Sequence, residues 1–439
     1  MGNQGTGMSR LGPGQQGQGQ KTPSRGRWSR IVPVLALAAV VVLLTGCGPE
    51  VAQPFSTLTP QNEKTEEIQN LYKIIFWASL VVFVMVQIAI GYTALRFRRR
   101  NEDRPEQVHG SRKLEIAWTV IPAVILLALF IPTAQTIFDH ANDVTLAEES
   151  GESFNVDVIG KQWWWEISYP NIPANPDDPE AGPIVTGNEV ILPVGANVVF
   201  TLHSNNVIHS FWVPQLSGKL DVMPGHDNKM QFIAERPGEY WGECAEFCGG
   251  SHAWMRFKVK VVPQEEFDAW VEAWRTPPAT DGNPETADVV EVPPAFGACL
   301  ACHRISGTNA EFAPRGIGAN PGFVDRDTGQ PTDSSRGPGP NLTLFGCRDT
   351  IGAGILENTP ENMDTWLRHT DAVKEGVYMP NYYELGQITD EQITELADYL
   401  ESLRPEGGCP GADLPIGGLV PAADVAAQDR NNAPGEDQQ

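Results

Sequence analysis

Basic residues are scarce in this sequence. Its 439 residues include 31 lysines and arginines against 55 aspartates and glutamates, which gives a formal net charge of −24 at pH 7. Proteins that bind nucleic acid neutralise its phosphates with basic patches, so the composition argues against nucleic acid as a partner. The acidic excess lies mostly in the C-terminal part of the chain, where it either attracts a basic protein or forms a solvated surface.

Cysteine is also scarce, with seven residues in the whole chain. An odd number excludes a fold that is stabilised by disulfides alone, so each cysteine needs its own interpretation. The chain is too long for one ordinary domain. We therefore expect a multidomain protein.

Residues 1–47 have the features of an export signal. Basic residues precede the short apolar run Ile31–Leu44, which is typical of a signal peptide rather than a membrane-spanning helix. The run ends in LTGC, which resembles the lipobox of bacterial lipoproteins, in which the cysteine, here Cys47, is lipidated. Ordinary cleavage that leaves Cys47 free is the alternative. In both cases residues 48–70 form an exported N-terminal segment.

Two apolar runs follow, Leu71–Leu95 and Ile116–Phe138, and each is long enough to cross a bilayer. The segment between them is rich in arginine and lysine, so the positive-inside rule places it in the cytoplasm. Residues 71–140 are thus predicted to form a transmembrane helical hairpin in the lipid of a bacterial cell membrane. Both of its ends then lie on the extracytoplasmic side, in agreement with an exported N-terminus.

Sulfur and nitrogen ligands cluster between positions 244 and 255. Two thiols are four residues apart, with an imidazole four residues after the second and a thioether three residues beyond it. Gly249 and Gly250 allow the tight turn that brings the thiols together. Soft sulfur with imidazole favours copper, zinc or iron over magnesium or calcium. Zinc prefers four comparable cysteine or histidine ligands, usually in more closely spaced pairs, so we predict copper.

The predicted site holds two copper ions and is completed by a histidine from elsewhere in the chain. Both thiolates would bridge the metals, each copper would bind one imidazole, and a thioether and a backbone carbonyl would be weak outer ligands. The predicted ligands are His209, Cys244, Glu246 through its carbonyl, Cys248, His252 and Met255. The alternative is a pair of buried or disulfide-bonded cysteines beside a core histidine.

Residues 150–263 are predicted to form short β-strands separated by turns, among them Val190–Leu192, Asn197–Leu202 and Arg256–Val262. Many short strands with regular turns indicate an all-β sandwich or barrel. A metal-binding loop between the last two strands is typical of a cupredoxin-like domain, whose rigid scaffold favours electron transfer.

Three motifs of this region, QWWWEISY, HSFWVPQLSGKLDVMPG and YWGECAEFCGGSHAWM, resemble those of subunit II of the haem–copper oxidases and occur in the same order. The similarity extends from about Leu71 to Val262. It implies a dinuclear copper centre, CuA, and a catalytic subunit I with other oxidase subunits as partners. Oxygen would be reduced in that partner, since this sequence has no histidine set for a haem–copper reaction centre.

The resemblance also implies roles for single residues. Trp163 matches the residue at which electrons enter the copper site, with an ordinary core tryptophan as the alternative. Glu115 matches a carboxylate near the mouth of a proton channel, or is an interfacial carboxylate paired with arginine or lysine. Asp221 and Glu246 match a magnesium site shared with subunit I, or are loop carboxylates. Asn206 departs from the family, which has an acidic residue there for docking a soluble donor.

A second resemblance, to c-type cytochromes, begins after a linker predicted at residues 264–293. Cys299, Cys302 and His303 form the sequence CxxCH, in which two thiols attach haem c and the histidine binds its iron. The sixth ligand is expected to be Met379, in a proline-bounded loop, rather than Met363, in a helical stretch. An all-α cytochrome c domain is therefore expected at residues 294–408.

The end of the chain carries two further cysteines, Cys347 and Cys409. In an oxidising compartment they would form a disulfide, with two free buried thiols as the alternative. A capping box at Thr389–Gln392 begins the last predicted helix. Residues 409–439 are predicted to be a disordered acidic tail.

The predicted architecture is a two-helix transmembrane hairpin, an all-β cupredoxin-like sandwich and an all-α cytochrome c domain. The resemblances imply the electron-input subunit of a proton-pumping caa-type cytochrome c oxidase. Electrons would pass from a cytochrome or another respiratory complex, docked on the haem domain, to haem c, to CuA and then to subunit I.

Two alternatives remain for the function. One is the CuA-containing subunit of a nitric oxide reductase, and the other is a membrane-anchored electron carrier or copper-handling protein. Nitrous oxide reductase shares the copper motif, but nothing in this sequence is long enough for its propeller domain.

Overall fold

The computed structural model describes residues 55–98, 110–177, 182–276, 291–308, 339–405, 407–412 and 414. The predicted signal peptide with Cys47, the predicted cytoplasmic segment around residues 99–109 and the chain after residue 414 lie outside these residues.

Two long helices come first, α1 at Glu63–Arg96 and α2 at Arg112–Ser150. Both are apolar and long enough to cross a membrane, which confirms the predicted pair of helices. Their 34 and 39 residues correspond to roughly 50–60 Å at 1.5 Å per residue, more than the ~30 Å of bilayer hydrocarbon. The helices therefore extend on both sides of the predicted range 71–140.

The additional turns attach the helices to the domain that follows. Asn62 caps α1 by accepting a hydrogen bond from the backbone N–H of Thr65. Its side-chain amide donates to the carbonyl of Leu216 at 2.7 Å. Lys64 of α1 forms an ion pair with Asp143 of α2 at 3.0 Å. The outer ends of both helices are thus held to each other and to the extramembrane domain.

Residues 154–262 form ten strands within the described part of the chain, arranged in two five-stranded sheets. The strands are β1 (Phe154–Lys161), β2 (Trp164–Pro173), β3 (Pro183–Gly187), β4 (Glu189–Pro193), β5 (Asn197–Ser204), β6 (His209–Trp212), β7 (Leu220–Val222), β8 (Asn228–Ile233), β9 (Gly238–Cys244) and β10 (Arg256–Val262). The sheets have the orders β3-β2-β1-β5-β8 and β4-β10-β9-β6-β7. The predicted cupredoxin-like sandwich is confirmed.

Aromatic side chains fill the space between the two sheets. Trp165, Phe200, Phe211 and Phe257 are fully buried, and the rings of Phe211 and Phe257 stack at 4.4 Å. In the second sheet β9 lies between β6 and β10, with Phe211 opposite Cys244. This packing fixes the ends of β6, β9 and β10, from which the metal-binding side chains extend.

The predicted linker at residues 264–293 is wrong at its beginning. Gln264–Arg275 form helix α3, which directly follows β10 and packs on the sandwich. Phe267, Trp270 and Trp274 are buried on one face of this helix. Their spacing of three and four residues is the period of an amphipathic helix. The proline-rich composition of the segment that follows obscured this signal.

The described residues from 291 onward surround a second apolar cluster. They contain helices α4 (Pro360–Arg368), α5 (Thr370–Val373) and α6 (Asp390–Ser402), and the short strands β11 (Thr350–Ile351) and β12 (Leu356–Glu357). Helix α6 begins at the predicted capping box. The pair of strands shows that this region is not purely helical. Gly352 and Gly354, both at positive φ, allow the chain to reverse between β11 and β12.

A disulfide joins Cys347 to Cys409, the pairing expected from the sequence. The backbone N–H of Gly411 donates to the carboxylate of Glu266 in α3 at 2.8 Å. The predicted tail at 409–439 therefore begins too early, since its first residues are attached to the folded part of the chain.

The buried face of α3 leads to a test of the corrected boundary. Phe267→Ala should destabilise the extramembrane domain by about 3–5 kcal/mol, because it leaves a cavity beside the rings of Phe154 and Trp270. Chemical unfolding followed by circular dichroism would measure the change. Glu272→Ala, on the exposed face of the same helix, is the control and should change stability little. Equal effects of the two substitutions would contradict the packing described for α3.

Candidate functional site

One loop carries most of the predicted metal ligands. It leaves the second sheet at Cys244, the last residue of β9, and returns at Met255, the residue before β10. The backbone N–H of Cys244 donates to the carbonyl of Met255 at 3.0 Å, which closes the loop at its base. His209 begins the neighbouring strand β6, and the N–H of Ala245 donates to the carbonyl of Ser210 in that strand at 2.9 Å. Strand pairing therefore brings His209 to the loop.

Four of the predicted ligands form the centre of a cluster. The sulfurs of Cys244 and Cys248 are 3.8 Å apart. Nδ1 of His209 lies 3.9 Å from the sulfur of Cys244, and Nδ1 of His252 lies 3.7 Å from the sulfur of Cys248. Each thiol thus has one imidazole beside it, and His209 and both cysteines are buried.

The two predicted outer ligands complete the same arrangement. The carbonyl oxygen of Glu246 lies 3.2 Å from the sulfur of Cys244. The thioether of Met255 lies 3.9 Å from the sulfur of Cys248. All six predicted donors therefore converge, with one imidazole and one weak donor on each side of the pair of sulfurs. This is the donor set that a pair of coppers bridged by two thiolates requires.

The two thiols perturb each other strongly. Their mutual hydrogen bond lowers the pKa of Cys244 well below its ordinary value and raises the pKa of Cys248. Without a cation, two thiolates this close repel each other, so one sulfur keeps its proton. A bound metal favours the doubly ionised state, and its binding would release that proton.

Residues outside the loop orient His209. With its proton on Nε2, the ring donates to Oδ1 of Asn206 at 3.0 Å, which leaves Nδ1 free to face Cys244. Gly160 makes room for the ring, since a Cβ there would lie 2.7 Å from Cδ2 of His209. The sequence marks Asn206 only as a departure from the family, whereas the structure gives it an orienting role.

A second pair of side chains holds the turn between the two cysteines. The carbonyl of Cys248 accepts hydrogen bonds from Nε2 of Gln162 at 2.7 Å and from Nε1 of Trp163 at 3.1 Å. Gly249 follows at a φ of 116°, where other residues are strained. The Trp163 indole is 8% exposed. Trp163 is thus a buried residue in direct contact with the cluster, and Gln162 is a contact that sequence reasoning missed.

A cleft with mostly apolar walls is lined mainly by residues of the C-terminal region. Cys299, Cys302 and His303 line it on one side, and both Met363 and Met379 contribute to its wall. Nδ1 of His303 lies 2.9 Å from the carbonyl of Pro340. The sequence-predicted residues of the second site therefore share one cleft.

Comparisons with known proteins agree with this architecture. The profile of cytochrome c oxidase subunit II, periplasmic domain, matches residues 154–262, and that of the transmembrane domain matches residues 57–135. Subunit 2 of cytochrome c oxidase from Alkalihalophilus pseudofirmus is 34% identical over 387 residues, which cover 86% of this chain and 98% of the relative. The chain belongs to the cytochrome c oxidase subunit II family.

Further relatives show the same similarity. The subunit 2 of Bacillus sp. strain PS3 is 35% identical and matches 84% of this chain and 96% of its own length. A solved periplasmic domain of subunit II from Bradyrhizobium japonicum is 31% identical and covers 28% of this chain and 94% of its own, with a TM-score of 0.24. The protein is an electron-input subunit of cytochrome c oxidase, a membrane protein with a periplasmic domain. Its family implies a CuA site at the cysteine–histidine cluster.

The other residues expected to act in subunit II have exposed side chains. Asp221 on β7 and Glu246 in the metal loop are both exposed. Among the described residues, one group of three or more side chains is close enough together to bind an ion, and it consists of His209, Cys244 and Cys248. Glu115 lies in the first turn of α2 and is also exposed. The magnesium and proton-channel roles of these residues stay predictions.

The cluster geometry leads to a test of the bridging thiolates. Cys248→Ser should abolish the binding of two coppers and the mixed-valence spectrum, because it removes one of the two thiolates predicted to hold the copper pair together. Metal analysis and electron paramagnetic resonance would measure both. Phe247→Leu, in the same loop but 74% exposed and not a donor, should keep both coppers. Unchanged copper content in the serine variant would disprove the bridging assignment.

Proposed function

We propose that this subunit II is of the caa type: it holds a covalent haem c in the cleft of its C-terminal region and passes electrons through CuA to a catalytic subunit I that reduces oxygen. The observation that carries this proposal is the shared cleft, in which the two thiols and the imidazole of one CxxCH sequence lie among apolar walls. The match to the relatives of the family also supports it, since alignment of 86% of the chain must extend into this region.

The residues of the cleft fit a haem. Burial lowers the pKa of the His303 imidazole, more than the hydrogen bond to Pro340 raises it. The ring is therefore neutral at pH 7, as a metal ligand must be. When Nδ1 donates to the Pro340 carbonyl, Nε2 is left free for iron. Bound there, haem c would supply a one-electron carrier, and its porphyrin would occupy the apolar space between Cys299, Cys302 and the methionines.

The residues of the copper loop contribute rigidity and shielding. The sheet fixes His209 and Cys244, the closed loop fixes Cys248 and His252, and burial keeps water away from the sulfurs. CuA, when bound, supplies a carrier that gains and loses one electron with little change in geometry. We propose Trp163 as the residue at which electrons enter this centre, since its indole N–H donates to the carbonyl of Cys248.

Several finer roles follow from the same family. Asp221 and Glu246 would bind magnesium together with groups of subunit I, and Glu115 would lie near the mouth of that subunit's proton channel. Lipidation of Cys47 would add a second membrane attachment. The copper and haem domains would lie on the extracytoplasmic side of a bacterial cell membrane.

The assignment of the oxidase can be tested on the native complex. Purified with its partner subunits, the complex should consume oxygen when it receives a reduced donor, because the family reduces oxygen in the catalytic subunit. An oxygen electrode and a nitric oxide electrode would measure both activities on one preparation. Consumption of nitric oxide without oxygen consumption would instead support a nitric oxide reductase, and loss of both would favour a simple carrier.

The choice of the sixth haem ligand gives a second test. Met379→Ala should remove the methionine–iron charge-transfer band at the red end of the spectrum, while mass spectrometry still finds haem attached to the chain. Met363→Leu is the matched control, because Met363 is a buried residue of α4 that lines the same cleft. If the charge-transfer band is lost in Met363→Leu and kept in Met379→Ala, the assignment of Met379 as the sixth ligand is wrong.

A further inference from the structure

The ring of Trp163 is covered by a residue of the C-terminal region. Tyr378 stacks on it with ring centroids 5.7 Å apart and an angle of 7° between the planes. The Tyr378 hydroxyl lies 3.4 Å from Oε1 of Gln162, the residue whose amide also binds the Cys248 carbonyl. Gly376 lies against the same indole, where a Cβ would be 3.3 Å from the ring. One short segment therefore covers the Trp163 face of the copper domain.

A buried lysine fixes this segment. The side-chain nitrogen of Lys374 donates to the carbonyl of Trp163 at 2.6 Å and to the carbonyl of Gly352 at 2.9 Å. Only 2% of Lys374 is exposed. Burial of an ammonium is costly unless its hydrogen bonds are satisfied. Lys374 thus links the backbone of the copper domain to the turn between β11 and β12.

A separate group of charges holds the same two regions together. Lys258 and Lys260 of β10 form ion pairs with Asp349 at 3.1 and 2.8 Å. The backbone N–H of Asp349 donates to the carboxylate of Glu189 at 2.9 Å. In the metal loop, the hydroxyl of Ser251 donates to the carbonyl of Glu375. The C-terminal region is therefore docked on the copper domain through several independent contacts.

The covering residue is also adjacent to the haem cleft. Tyr378 immediately precedes Met379, and both line the cleft together with Trp163. On the other side, the Trp163 indole is hydrogen-bonded to the backbone of Cys248. A covalent link, a ring stack and a hydrogen bond thus connect the proposed haem ligand Met379 to the copper ligand Cys248.

We propose that Tyr378 is the contact through which the C-terminal region passes electrons to Trp163, and that Lys374 is the positioning residue that keeps this contact closed. The inference depends on the proposed haem c. With both groups bound, the step served would be the transfer of one electron: the haem iron would be oxidised from ferrous to ferric and the copper pair would be reduced by one electron. No bond is broken and no proton is moved.

A consequence concerns the external donor. Since the Trp163 indole is 8% exposed beneath Tyr378 and Gly376, a soluble protein cannot stack on it. We therefore expect the donor to dock on the C-terminal region, with the copper domain receiving its electrons from within the chain.

The contact can be tested without relying on turnover. In the full-length chain in detergent, oxidative labelling of Trp163, followed by peptide mass spectrometry, would report how often its ring is uncovered. Tyr378→Leu should raise the labelling rate about two- to tenfold, the factor that an aromatic pair contributes. Tyr378→Phe keeps the stack and should label like the native chain. Unchanged protection in the leucine variant would overturn the inference.

Electron transfer within the chain is the second readout. Flash photolysis of samples with measured haem and copper content should show slower reduction of copper by the haem in Tyr378→Leu, with Tyr378→Phe unchanged. Lys374→Met keeps the side-chain volume but loses both hydrogen bonds, and should increase Trp163 labelling roughly tenfold or more. Increased labelling with an undiminished transfer rate would disprove the role of Tyr378 as the electron contact.

The two readouts separate this inference from the proposed function. If mass spectrometry finds no haem on the chain, the proposed caa-type function fails, and with it the electron step. The labelling of Trp163 would still decide whether Tyr378 and Lys374 dock the C-terminal region.

Discussion

The hydrogen bond from Cys244 to the carbonyl of Met255 closes the loop on which the copper site depends. It allows one short segment to present two sulfurs 3.8 Å apart, a distance that two ionising thiols do not favour without a cation. The pairing of β9 with β6 and β10 provides the rigidity, and the aromatic core between the sheets supports that pairing. Fold stability and metal affinity are therefore linked, because a loop free to open would lose its preorganised ligands.

The same strands also position the second domain. β10 returns from the metal loop and carries Lys258 and Lys260, which pair with Asp349 of the C-terminal region. Buried ion pairs contribute little net stability, but an unpaired charge left behind is costly. The ion pairs with Asp349 therefore disfavour any other orientation of the docked C-terminal region. A displacement of that region would separate these charges and, at the same time, the Tyr378–Trp163 stack.

The sequence predicted the residues that are close in the chain or belong to a spaced motif. Five of the six copper donors follow from such a motif, the sixth, His209, comes from a separate segment, and the structure brings all six together. The contacts of Asn206, Gln162 and Lys374 could not be predicted, since they depend on strand register and docking; Lys374 binds a residue 211 positions away. The aromatic residues of helix α3 have a helical spacing that predicts an amphipathic helix. The proline-rich composition of the neighbouring segment instead suggested a linker.

Tethering explains why this interface can be small. A domain that belongs to the same chain as its partner docks at a high effective concentration, so modest contacts are sufficient. A ring stack, two lysine hydrogen bonds and a few ion pairs meet this requirement. In the proposed function, an external donor would have no such advantage and would depend on long-range attraction, which salt screens beyond about 10 Å at 0.1 M ionic strength. The net charge of −24 would influence such an encounter, whereas the internal contact depends on buried ion pairs and short-range packing, which salt affects less.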